Sequence, residues 1–83
     1  MKHITETMTQ SSKDLFGYVL TYKPSQKVLT QYLADTYFSK LDAYDDCRDA
    51  IQYAVWLESY DAVTRLSNTL KKLQPAYRAA LHA

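Results

Sequence analysis

The sequence predicts an all-α fold, a compact small helical bundle, on three observations. Apolar residues recur at spacings of three and four through most of the chain, which is the period of one helix face turned to a core. One glycine and two prolines are all that interrupt those runs. The 83 residues suffice for one domain with a modest core, because a chain this short buries only about 60% of the surface it exposes when unfolded.

Residues 1–10 are polar apart from Ile4 and Met8 and hold no sustained period, so they read as an arm, flexible or ordered only by docking. Residues 11–83 form the single helical domain. Ser11 and Ser12 offer caps for a first helix over about 12–22, with Asp14 favouring the positive end of its dipole. Leu15, Phe16, Tyr18, Val19, Leu20 and Tyr22 cover more than half of that helix's circumference, so it should touch two neighbours, or one neighbour and a partner. Gly17 falls on the narrower opposite face, where close packing is an option.

Pro24 ends this helix, and Ser25 or Pro24 itself opens the second, over about 25–39. Its buried face is Val28, Leu29, Tyr32, Leu33, Thr36 and Tyr37. Phe38 points away from that face; a helix that ends near it and turns the ring inward accounts for it. Two look-alike segments follow at a spacing of 16, "LDAYDDC" from Leu41 and "LESYDAV" from Leu57. Their acids and Ser59 suit helix starts, giving helices over about 43–57 and 60–74; chance in a Tyr-, Asp- and Ala-rich stretch explains the likeness slightly better than a repeat does.

The third helix buries Ala43, Cys47, Ala50, Ile51, Ala54 and Val55, a small-residue face that lets another helix come close. The fourth buries Val63, Leu66, Leu70 and Leu73. The same phase runs on through Tyr77, Ala80 and Leu81 while Pro75 falls off it, so a short C-terminal helix or kinked extension (75–82) closes the core. The spacing from Tyr60 to Pro75 resembles the second helix of a tetratricopeptide repeat. Residues 44–59 lack the tryptophan, leucine and glycine pattern of that repeat's first helix, and the resemblance implies no function.

Ten Lys and Arg against nine acids leave a net charge of +1, too little to draw the whole molecule onto nucleic acid. Any electrostatic partner must meet a local patch. A candidate patch lies on the third helix, where Asp42, Asp45, Asp46 and Asp49 share one side at i, i+3, i+4 and i+7. Tyr53, Trp56 and Tyr60 continue the line. As a docking face, Trp56 and Tyr53 would fill a partner's pocket while the aspartates meet lysine or arginine around it. As plain structure, the acids serve a helix's first turn and the chain's own elements cover Trp56. The eight tyrosines fit both a core wall and an interface.

The chemistry of catalysis is not legible. Carboxylates along one straight helix cannot converge on a metal, and the only histidines, His3 and His82, lie at opposite ends. Cys47 is alone and predicted on the buried face, with no base near it in sequence; it also excludes an intramolecular disulfide. No glycine-rich phosphate loop exists. The expectation is therefore a non-enzymatic, cofactor-free, cytoplasmic protein with no membrane segment: a protein-binding module, as adaptor, inhibitor or regulatory subunit, of the kind found among small phage or plasmid accessory factors. Two alternatives stand beside it. One is a helix-turn-helix-like nucleic-acid-binding regulator, with Lys13, Lys23, Lys27 and Lys40 on phosphates and against it the aspartates that open the would-be recognition helix. The other is a homodimer through helix 1.

Overall fold

The computed structural model describes residues 9–82; most of the N-terminal arm therefore lies outside the described residues. Four helices follow in order: α1 (Gln10–Tyr22), α2 (Gln26–Thr36), α3 (Lys40–Trp56) and α4 (Tyr60–Leu81). Each is preceded by a hydroxyl residue, namely Thr9, Ser25, Ser39 and Ser59, and the first three use that oxygen to accept a first-turn amide. Such oxygens satisfy donors that the helix itself leaves orphaned. The cap of α1 is Thr9, not Ser11 or Ser12, because both serines are engaged elsewhere.

Between helices the chain spends only residues 23–25, 37–39 and 57–59, which forces successive helices to run antiparallel. The contacts agree. Tyr18 stacks on Tyr32 across α1 and α2, and Cys47 and Tyr44 of α3 meet Leu66 and Tyr77 of α4 in opposite order. One end of the bundle therefore gathers the starts of α1 and α3 with the 37–39 corner. The other gathers the 23–25 and 57–59 connections.

The core is Leu15, Phe16 and Val19 of α1, Leu29 and Leu33 of α2, Cys47, Ala50 and Ala54 of α3, and Ala62 and Leu66 of α4. As its wide apolar face requires, α1 touches more than one neighbour: it packs on α3 and α4 and meets α2 through the Tyr18–Tyr32 stack. The alanines of α3 are the close-approach face expected for it. Within the apolar faces several residues fall outside the core: Val28, Val55 and Leu81 are about half exposed, Thr36 is exposed, and Ile51, Val63, Leu70 and Leu73 are half-buried. In α4 the line of closest packing passes through Ala62, Leu66 and Thr69, one residue earlier than the bulkier Val63 and Leu70, since small side chains are what let α3 approach.

Two boundaries and one side chain differ from expectation. α2 stops at Thr36 and α3 begins at Lys40, so the two look-alike segments are not equivalent: the first starts inside α3, the second in the 57–59 connection. Phe38 stays fully exposed instead of turning inward. Of the two forms expected for the C-terminal end, the extension is the one found, since α4 continues through Pro75 to Leu81. Pro75 lacks the amide that would bond back one turn and is exposed, while Tyr77 beyond it is held on Tyr44 at 3.8 Å.

The α3–α4 connection is a Schellman turn: the Ser59 amide donates to Ala54 C=O at 2.9 Å and the Glu58 amide to Val55 C=O at 3.0 Å. That motif places Glu58 in the left-handed region, φ 59°, which glycine adopts without strain. Gly17 has the converse problem. A Cβ built there meets nothing within 4 Å, so its freedom only weakens α1. Glu58→Gly and Gly17→Ala should therefore each raise the unfolding free energy in urea by about 0.5–1 kcal/mol; a loss at either position contradicts the geometry given for it.

Candidate functional site

The acidic line on α3 divides on folding. Asp42 is exposed and Asp45 and Asp49 are partly so, but Asp46 is buried at 8% exposure. Sequence projection placed all four on the side opposite the core; the start of α1 lies over Asp46 and takes it inside. Three segments converge on that carboxylate. Ser11 Oγ and Tyr37 OH donate to Oδ2 at 2.5 and 2.6 Å, while Ser12 Oγ and Thr9 Oγ1 donate to Oδ1 at 3.0 and 3.3 Å. Four donors match the roughly four acceptor positions of a carboxylate.

Nothing of Asp46 is then left to meet a partner's lysine or arginine. Burial alone would raise its pKa, yet the hydroxyl donors outweigh burial and hold it below the ordinary carboxylate range. Tyr37 is pushed the other way, by its own burial and by the Asp46 charge it bonds, so it remains a neutral donor. Asp49 is raised, first by partial burial and then by the Asp46 and Asp45 charges, against the lowering pull of Arg48.

Asp42, Asp45 and Asp49 line an open depression of about 430 Å³ together with Arg48, Ser11 and Tyr37. Arg48 sits between two of the acids, 3.7 Å from Asp45 and 3.8 Å from Asp49. Both distances are long and the groups half exposed, so these pairs add little stability; their effect is to halve the local negative charge of the pair they join. Among the described residues no cluster of His, Cys, Asp or Glu could hold a metal ion.

Beyond Asp49 the line turns aromatic. Tyr53 is half-buried, edge-on to Phe16 of α1 with centroids 4.8 Å apart, and Trp56 lies nearly parallel to Tyr53 at 6.3 Å. Trp56 is 49% exposed and Tyr60 64%. The tryptophan is thus neither wholly covered by its own chain nor held wholly out: it lies over Tyr53 and keeps about half of its surface exposed. Val55, expected on the buried face, and Leu57 are also close to half exposed, at the point where the chain leaves α3.

Cys47 is fully buried and its thiol donates to Leu66 C=O at 3.4 Å. Burial pushes its pKa up to about 12, so no thiolate is available at neutral pH. His82, just past α4, is exposed, and His3 lies outside the described residues. The side chains that sequence reasoning missed are the donors Thr9, Ser11, Ser12 and Tyr37. The only signal for the first three was a run of hydroxyl residues ahead of the first apolar position, and Tyr37 had none. Comparison with protein-family models, curated proteins and solved structures finds no match for this chain.

Two measurements follow from this geometry. Asp46→Asn replaces acceptor capacity with an NH₂ that faces hydroxyl donors, and should cost about 2–4 kcal/mol of stability at pH 7. Because the folded pKa of Asp46 is depressed, its contribution is complete above the unfolded value of about 3.9 and is lost as pH falls through the folded one. The variant should lack that part of the acid loss. Asp49 has the opposite sign: its raised pKa means that Asp49→Asn gains stability at pH 7, and urea titrations between pH 7 and pH 3 distinguish the two. Separately, Cys47 should react with a disulfide reagent only as the bundle opens, so that labelling is slow in buffer and complete in urea; rapid native labelling would contradict its burial.

Proposed function

We infer that this chain is a non-catalytic protein-binding module, an adaptor, inhibitor or regulatory subunit, that docks on a larger protein. The docking face is Asp42, Asp45, Asp49, Tyr53, Trp56 and Tyr60, without Asp46. The observation that carries this reading is the half-exposed Trp56, backed by Tyr53 and Phe16 and aligned with three accessible carboxylates. A large ring whose inner edge is already fixed loses little conformational freedom when its outer edge is covered, which is how interface anchors gain affinity. The acids around it suit a partner that offers lysine or arginine beside an apolar pocket, and such charges act mainly on encounter rate and orientation.

Other features are consistent with the same reading. Among the described residues no helix is long and apolar enough to cross a membrane, and a free, buried thiol suits a reducing compartment such as the cytoplasm. Of the broad apolar face of α1 that suggested a homodimer, Leu15, Phe16 and Val19 are in the core, while Leu20 and Tyr22 stay exposed. The lysines proposed for phosphate contact are dispersed: Lys13 lies in α1, Lys23 caps it, and Lys27 and Lys40 lie in the first turns of α2 and α3.

The test is a photo-crosslinking residue at Tyr60, used to capture and identify the partner in cells, followed by binding measurements on the purified pair. Trp56→Ala should weaken binding by about 2 kcal/mol, roughly thirtyfold. The double substitution Asp45→Lys and Asp49→Lys should slow association and remove its salt dependence. Both variants should keep their helical circular dichroism. Unchanged affinity in both removes this face from the function.

A further inference from the structure

The 37–39 corner leaves Phe38 fully exposed. With Leu33, Ala34, Tyr37, Ala43 and Leu73 it lines an apolar groove of about 230 Å³ where α2, α3 and α4 meet. Covering such a ring removes much of about 150–250 Å² from water, so ring and groove form an apolar site that is lined but not filled by the described residues.

The point where the described chain begins is at this same end of the bundle. Thr9 donates to Asp46, and Asp46 accepts from Tyr37. Tyr37 thus reaches from that junction to the groove it lines. Ahead of Thr9 stand Ile4 and Met8, four positions apart, with Glu6 between them; on a helix the two apolar residues would share a face. From Thr9 back to Ile4 the chain spans up to about 17 Å when extended, longer than the one tyrosine side chain that leads from that junction to the groove. Lys40, which also lines the groove, is opposite in charge to Glu6.

We propose that this groove is the docking site of the chain's own residues 4–8, with Ile4 and Met8 covering Phe38. The occupant is argued from where the chain enters the bundle, from its apolar spacing and from the charge beside it. A second copy or a separate protein would need none of these coincidences.

Nuclear magnetic resonance on the full chain at low concentration tests it. The Ile4 δ1 and Met8 ε methyls should show nuclear Overhauser contacts to the Phe38 ring that persist on dilution. Phe38→Ser, at a position already in solvent, should return both methyls to random-coil shifts while leaving the helical amide resonances in place. Should that variant disturb the corner instead, Met8→Ser provides the independent reading and must move the Phe38 ring resonances. Random-coil shifts for residues 4–8 in the unaltered chain, ring resonances indifferent to Met8→Ser, or contacts that vanish on dilution each overturn the proposal, the last in favour of a second copy.

Discussion

The position of α1 depends on one buried carboxylate. Asp46 receives hydroxyl hydrogens from the residue that caps α1, from the first turn of α1 and from the corner that ends α2. A charge at this depth is tolerated only because its acceptor positions are all met. The same four bonds fix where α1 lies along α3, since Ser11 and Ser12 reach Asp46 in only one register, and that register sets Phe16 edge-on to Tyr53. The apolar residues of α1 specify which face turns inward; the carboxylate specifies how far along.

The opposite end is closed by different means. Arg65 donates to Pro24 C=O at 2.8 Å and to Asp61 at 2.9 Å, which ties the first connection to α4. The Schellman turn at Ser59 joins α3 to α4 through backbone atoms alone. Between these polar ends the core is made largely of leucine and alanine, and the alanines of α3 let the α3–α4 pair come close. A chain with so little interior has few apolar contacts to spare, so directional ties at both ends account for a unique arrangement better than core volume does.

Burial of Asp46 also reshapes the face opposite the core. Had all four aspartates remained outside, their mutual repulsion would have been unrelieved along one edge. One is instead taken inside and solvated, still charged, by internal hydroxyls, and two flank Arg48. What reaches the surface is a shorter acidic set that merges with Tyr53 and Trp56, and the aromatic part is anchored through Phe16 to the helix that Asp46 positions. The structural and the proposed docking roles of this stretch are therefore not alternatives; one carboxylate supports the surface that the others present.

Helix number and most boundaries were legible in the sequence because they follow from local chemistry. The 3.6-residue period, Pro24 and the capping hydroxyl of Ser25 act within a few positions of where they stand. The small-residue face of α3 and the burial of Cys47 were legible for the same reason. Tertiary structure alone decided the rest. Asp46 and Asp49 differ by three positions and look alike in sequence, yet only the one beneath α1 meets its donors, which come from positions 9 to 37. α4 continues past Pro75 because Tyr77 has a ring to stack on in α3, and Phe38 remains in water because α2 ends two residues before it. Periodicity states which side of a helix is apolar; which neighbour covers that side, and how far along, depends on contacts between residues distant in the chain.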